Sequence, residues 1–401
     1  MVEEKKKAVL KSAEYLFSAK GFHETTVADI AEESGVHEAS IYSYFNNKRN
    51  ILFAIYGGYL QNAIENLENH FQGMKEAGPK FRKSIWHYLA DMQNHPYYAK
   101  ILIMAQRENP EFYVSEHVNY LKEYSRLILN VIIAGQKEGF FRSDIRPQVI
   151  RNMGMGASVF TAIDSVVRKN TFDPNEASDL IYQLVINATA TNAHEQGDTK
   201  KIQKGDRAEI RQTQIIENAI RVFSHKGFSN ATISDVAKQA NLGDATLYEY
   251  FDNKEAILLN SAEAYLRHLG LDEGFPVYDF ADTEKTLRAM IWRYIWQLYT
   301  YEDFSRVLVL ELFRNIKFYS SPAYKYLKDF FKKIEETVQK GQQEGIFIKE
   351  APVFTYIHMI MGTFDQFLLS QFLLDRAPIG LAELNSIVDL LIKAIKVPGS
   401  T

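Results

Sequence analysis

A chain of 401 residues with 46% hydrophobic and 24% charged side chains is long enough for two or more domains, each with its own core. The absence of cysteine excludes disulfides, thiolate catalysis and cysteine-ligated zinc, and a net charge of −4 excludes a nucleic-acid coat held by bulk charge. The opening MVEEKKKAVL has no apolar signal-peptide core and no apolar run reaches spanning length, so a soluble, cytoplasmic protein with no membrane partner is expected.

Taken in order, the first predicted helix lies near 4–20. Thr26 then reads as an N-cap, with Asp29 three residues on as a short capping box, and Val27, Ile30 and Ala31 give an apolar face at helical spacing. Gly35 can take the left-handed conformation that stops this helix, and a second short helix follows from about 38 to 44. Asn47 caps the next helix at Lys48. Helix, glycine turn, helix is the pattern of a helix-turn-helix, whose second helix enters the DNA major groove. Further helices are predicted near 48–70, 79–94, 96–107, 112–139, 147–169 and 174–193, separated by Gly73, Gly78-Pro79, Pro96, Asn109-Pro110, Gly139, Pro147 and Pro174. No strand-like alternation persists, so the fold class is all-α.

The pattern then recurs. A shift of 206 residues places Phe17–Lys48 on Phe223–Lys254 with 14 of 32 positions identical and no gap. Gly35 becomes Asn241, the other residue that tolerates a left-handed turn. The same shift pairs Trp86 with Trp292, Phe112-Tyr113 with Phe318-Tyr319, and Met153, Met155 and Gly156 with Met359, Met361 and Gly362. The chain is two copies of one unit. Between them, His194–Arg207 has the composition of a solvated linker. The expected boundaries are a helix-turn-helix head at 1–50, a helical body at 51–193, the linker at 194–207, a second head at 208–256 and a second body at 257–401.

Catalytic and metal patterns are absent. The ten histidines form no metal-ligand pair, and there is no GxSxG, Walker-type loop or GxGxxG, so neither an enzyme nor a bound cofactor or metal is expected.

Gly21-Phe22, Thr25-Thr26, Ile30-Ala31, Gly35-Val36, Ile41-Tyr42-Ser43-Tyr44-Phe45 and Asn47-Lys48 together resemble the TetR/AcrR family of bacterial regulators. The resemblance implies two tandem TetR-like units, each a DNA-binding head on a ligand-sensing and dimerising body. It places His37, Glu38, Ala39, Ser40 and Tyr42 toward base edges, and Thr25, Thr26, Tyr44 and Lys48 on phosphates. In copy two the corresponding residues are Gly243, Asp244, Ala245, Thr246, Tyr248, Tyr250 and Lys254, with Thr232 as the cap. Ile41, Phe45, Leu247 and Phe251 are expected in the core.

A double-stranded DNA operator is the implied partner. The reading helices differ (His37-Glu38 against Gly243-Asp244, Ser40 against Thr246, Ser43 against Glu249), so its half-sites are expected to differ too. The head at 1–50 carries seven positive and eight negative side chains, so contact must come from placed cations, hydroxyls and backbone N–H groups. The family also implies a small apolar effector between the body helices. Candidates are Trp86, Tyr97, Met104, Phe112, Met153, Trp292, Phe304, Phe318 and Met359, and the segment Met361–Asp365 is similar to one in the acyl-CoA-responsive branch. Val149, Met153, Gly156, Phe160, Ile163 and Val167 form a stripe for helix pairing, with Gly154 and Gly156 admitting a close partner. Two assemblies satisfy that stripe: an intramolecular pseudo-dimer, or a homodimer with four heads. The competing function is a small-molecule-binding or protein-interaction scaffold that has lost operator binding.

Overall fold

The computed structural model describes residues 2–104, 109–190, 210–248, 250–267, 282–374 and 376–398; the linker 194–207, Glu249 and the Met104 side chain lie outside the described residues. The first repeat folds into α1 (Val2–Lys20), α2 (Val27–Ser34), α3 (Glu38–Tyr42), α4 (Lys48–Phe71), α5 (Ala77–Asn94), α6 (Pro96–Met104), α7 (Val118–Lys137), α8 (Pro147–Arg168) and α9 (Pro174–Thr189). The second gives α10 (Ile210–Lys226), α11 (Ile233–Gln239), α12 (Asp244–Tyr248), α13 (Lys254–Leu266), α14 (Thr283–Thr300), α15 (Glu302–Leu310), α16 (Pro322–Gln343), α17 (Val353–Leu374) and α18 (Leu381–Lys393). No β-strand occurs among the described residues, and none of their helices is long and apolar enough to cross a membrane.

Local chemistry sets the boundaries. Asn47 and Asn253 accept from the N–H groups of Asn50 and Ala256, opening α4 and α13. Asp173 accepts from Asn175 and Glu176 with Pro174 as the first helical residue, where a missing N–H costs nothing. One predicted helix is corrected: 112–139 is split into a 3₁₀ turn at Pro110–Val114 and α7 from Val118. There Ser115 donates its hydroxyl to the Phe112 carbonyl and its extended backbone breaks the run, a tertiary kink with no strong breaker in the sequence.

Two compact units emerge: Met1–Thr189 with His358–Ala377, and Ala190–Ile357 with Pro378–Thr401. Most of α17, which belongs to the second repeat, packs in the first unit. There α8 and α17 meet backbone to backbone. A Cβ added at Gly156 would lie 2.3 Å from the Gly362 carbonyl carbon, and one at Gly362 would lie 2.1 Å from that of Gly156. No side chain fits in that space. Beside the crossing, the Thr161 hydroxyl and His358 Nδ1 are 3.2 Å apart, and burial pushes the imidazole down to about 3, so it is uncharged. Gly154, expected to admit a partner helix, does something else: its space is filled by the Phe81 ring of α5, 2.8 Å from where a Cβ would stand.

Candidate nucleic-acid interface

Each head is a three-helix cluster on a small apolar core. In the first, Val9, Ala13, Leu16 and Phe17 of α1 bury against Ile30 of α2 and Ile41 of α3, with Phe45 closing the end. In the second, Ile220 and Phe223 meet Val236, Leu247 and Phe251. The expectation that Ile41, Phe45, Leu247 and Phe251 are core is met: each is less than 10% exposed. Tyr42 and Tyr248, the next residues after Ile41 and Leu247 and about 100° further around the same helices, turn to solvent, 50% and 57% exposed.

The turn before each reading helix is built as its sequence suggests. Thr26 Oγ1 accepts from the Asp29 N–H at 3.0 Å while Asp29 Oδ2 accepts from the Thr26 N–H at 2.7 Å. Thr232 and Asp235 repeat this reciprocal pair. Gly35 sits at φ +65°, and Asn241, standing for it in the second head, at φ +56°. The Ala39 N–H donates to His37 Nδ1, so His37 caps α3; Gly243 has no side chain to do the same for α12.

The carboxylates of these caps are held well below their ordinary range, Asp29 to about 2 by the Thr26 backbone N–H, its hydroxyl and then Lys20. Asp235 is held at about 2 by Lys226 first and then Thr232. A depressed folded-state pKa contributes stability above the unfolded value of about 3.9, and that contribution is lost as pH falls toward 2. Both heads are therefore expected to melt at lower temperature between pH 4 and pH 2. Circular dichroism melts should show this limb, and Asp29→Asn with Asp235→Asn should flatten it.

Among the residues expected on DNA, Thr26, His37, Ala39, Tyr42, Thr232, Gly243, Asp244, Ala245, Tyr248 and Tyr250 are solvent-exposed. Glu38, Ser40, Tyr44 and Thr246 are half-buried. Three of the residues expected on phosphates make contacts inside the head. Thr25 is fully buried and donates to the Leu16 and Gly21 carbonyls. Lys48 spends its ammonium on the carbonyls of Phe22 (2.6 Å), His23 (3.1 Å) and Thr25 (2.6 Å), over the Phe22 ring. Lys254 makes the same tripod to Phe228, Ser229 and Ala231, over the Phe228 ring. An ammonium has three donors and here all three are engaged inside the head. Burial is the main reason that both lysines titrate below the usual lysine value.

Contacts between head and body were not visible in the sequence, because they join residues far apart in the chain. In the first unit Tyr59 donates to Glu14 at 2.8 Å, Lys100 donates to the Ser18 carbonyl, and Arg49 pairs with Glu111 at 2.8 Å. In the second, Ser224 donates to Asp303, the Phe228 N–H donates to Glu311, and Lys317 pairs with Glu255 at 2.6 Å.

The effector candidates differ in burial. Trp86 is half-buried, donating to Asn175 beneath the Lys83 ammonium, and Tyr97 is 51% exposed against the edge of Tyr15. Trp292 is half-buried against Trp296. Phe112, Met153, Phe304, Phe318 and Met359 are buried. Of these, Phe112 packs on Phe53 and Tyr56, and Phe304 stacks on Tyr265 at 4.8 Å. Among the described residues no group of three His, Cys, Asp or Glu side chains is placed to hold a metal ion.

Comparison with known proteins agrees with this architecture. The sequence matches the family described as bacterial regulatory proteins, tetR family, at residues 9–55 and again at 215–260. It matches the YsiA-like protein C-terminal region at 57–188 and 276–394. A fatty acid metabolism regulator protein of Bacillus subtilis (strain 168) is 26% identical over 182 residues, 45% of this chain and 94% of that protein. IcaR of Staphylococcus epidermidis, a negative transcriptional regulator of the biofilm operon icaADBC, is 46% identical over 50 residues, 12% of this chain and 27% of that protein. The crystal structure of the transcriptional regulator FadR from Bacillus subtilis in complex with stearoyl-CoA aligns at 21% identity and a TM-score of 0.42, covering 45% of this chain and 97% of that one. With both family regions matched twice and a helix-turn-helix built in each repeat, the chain belongs to the tetR family of bacterial regulatory proteins and is a DNA-binding transcriptional regulator.

Proposed function

We propose that the chain is a ligand-released repressor that works as a covalent pseudo-dimer, presenting two unlike heads to an operator with unlike half-sites. The observation that carries this reading is the Gly156–Gly362 crossing. Residue 362 is residue 156 advanced by the repeat shift of 206, so a position packs on its own counterpart. Self-matching of that kind is what an isologous interface does at its two-fold axis. A single polypeptide thereby supplies the surface for which a one-copy relative needs two chains.

Ala39, Ser40 and Tyr42 in one head, and Ala245, Thr246 and Tyr248 in the other, are the groups we assign to base edges, alanine suiting a thymine methyl and the hydroxyls suiting several edges. His37-Glu38 against Gly243-Asp244 supplies the difference between half-sites. Lys48 and Lys254 hold the frame of each head. The effector is assigned as a small apolar molecule of acyl-CoA type, supported by the relative that regulates fatty acid metabolism and by Met361–Asp365. It would release DNA by favouring a head spacing that the operator does not fit.

Light scattering with footprinting tests the assembly. A mass near 46.2 kDa and one protected site with unequal halves, about 34–36 Å between half-site centres, is expected. A stable species of twice that mass, or protection of a perfect palindrome, overturns it.

A further inference from the structure

The start of α4 joins head to body. Lys48, its first residue, is bonded to three carbonyls of the head, and the next residue, Arg49, is bonded to the body. Arg49 Nε donates to Asn109 Oδ1 at 3.2 Å, and Nη1 pairs with Glu111 Oε1 at 2.8 Å. Asn109 and Glu111 flank Pro110 in the 3₁₀ turn that fully buried Phe112 anchors on Phe53 and Tyr56. Glu111 Oε2 is shielded from solvent without a hydrogen-bond partner, which leaves Arg49 as the cation that compensates this carboxylate among the described residues. In the second unit the same three positions are Glu255, Asn315 and Lys317. Lys317 Nζ meets Glu255 Oε2 at 2.6 Å, and Asn315 Nδ2 donates to Glu255 Oε1 at 3.5 Å. The tie is rebuilt with its polarity reversed. The asparagine amide changes role with it, accepting from the cation in one copy and donating to the anion in the other. Other head–body ties do not recur: Glu14, bonded by Tyr59, becomes Ile220, and Asp303, bonded by Ser224, stands where the first copy has Tyr97.

We propose that Arg49 with Glu111, and Glu255 with Lys317, are positioning pairs that hold each reading head at its operator-binding angle on the body. This rests on DNA binding by the heads. Changing either member alone sets like charges face to face, Glu beside Glu or Arg beside Lys. What both copies retain is therefore the attraction, and not a sign at either position. A cation on a phosphate cannot be the shared role of positions 49 and 255, because Glu255 would repel a phosphate. A half-exposed ion pair adds little to global stability. An angle needs little, since operator affinity scales with the fraction of chains whose head already holds the binding geometry.

Gel shifts of the full chain, on the duplex that the parent selects from a random-sequence pool, test this. Arg49→Glu and Glu111→Lys should each weaken binding by roughly fivefold, with the melting midpoint little changed. The double variant gives the first unit the polarity of the second and should return to within about twofold of the parent. Glu111→Lys is the deciding single change. It adds positive charge, so a phosphate-contacting Arg49 would leave binding equal or tighter, whereas a broken tie weakens it. Glu255→Lys with Lys317→Glu should behave alike, and serves if a first-unit variant fails to fold. Equal or tighter binding by Glu111→Lys, or a double variant no better than Arg49→Glu, overturns the proposal. Weakening that tracks a lowered melting midpoint would make the pair structural and overturn it too. A parent chain that selects no duplex would instead strike the DNA reading beneath it.

Discussion

Replacing Gly156 by alanine is expected to cost roughly 1–3 kcal/mol and to lower the unfolding midpoint in urea, because the new methyl would stand 2.3 Å from the Gly362 carbonyl carbon. The added methyl is fixed rigidly to one helix and the atom it meets is backbone of the other, so no side chain can swing aside, and α8 and α17 must separate. Separation would also forfeit packing of Met153, Phe160, Met359 and Phe364, all buried. Gly362→Ala should behave alike. Gly58 is the control: it lies in α4, exposed, with nothing within 4 Å of a built Cβ. Gly58→Ala is expected to stabilise by about 0.5–1 kcal/mol, since alanine loses less backbone entropy in a helix. Equal effects at positions 58 and 156 would mean that the crossing does not exist in solution.

The second large effect is expected from Lys48→Met combined with Lys254→Met. Each change deletes three charge-assisted bonds to backbone carbonyls and a cation–π contact. Allowing for partial solvation, about 2–4 kcal/mol of head stability is at stake, and operator affinity should fall by roughly tenfold or more. The salt dependence separates frame from contact. A lysine on phosphate, when removed, lowers the slope of log affinity against log salt by about 0.9. A lysine engaged with carbonyls leaves the slope unchanged, which is the expected result. Arginine should not rescue, because a planar fork cannot aim three donors at three converging carbonyls, whereas it would serve a phosphate well. A slope that drops by one unit per head, with rescue by arginine, would return both residues to the DNA backbone.

How much was legible in the sequence follows the range of the interaction involved. Thr26 with Asp29, Gly35, Asn241 and Asn47 act within four residues, and the structure has them as the local pattern implied. The doubled head was legible because an offset of 206 needs no spatial knowledge. The carbonyl contacts of Lys48 were not legible because its acceptors lie 23–26 residues away along the chain. Gly154 and Gly156 read alike in sequence, two residues apart, yet face Phe81 and Gly362 respectively. A helix turns about 200° between such positions, so they look in nearly opposite directions. Tyr97 and Trp86 belong to the same aromatic-rich stretch as Tyr98, but only Tyr98 turns fully inward.

In the proposed pseudo-dimer Gly156 and Gly362 ride on one polypeptide, so their encounter is unimolecular and dilution does not separate them. A regulator assembled from separate chains loses its paired form as copy number falls, so its occupancy drops more steeply than its abundance. A fused chain holds that form down to a single molecule per cell. Mutation also strikes one partner of the crossing at a time, which lets position 156 and position 362 drift independently under selection for a joint fit.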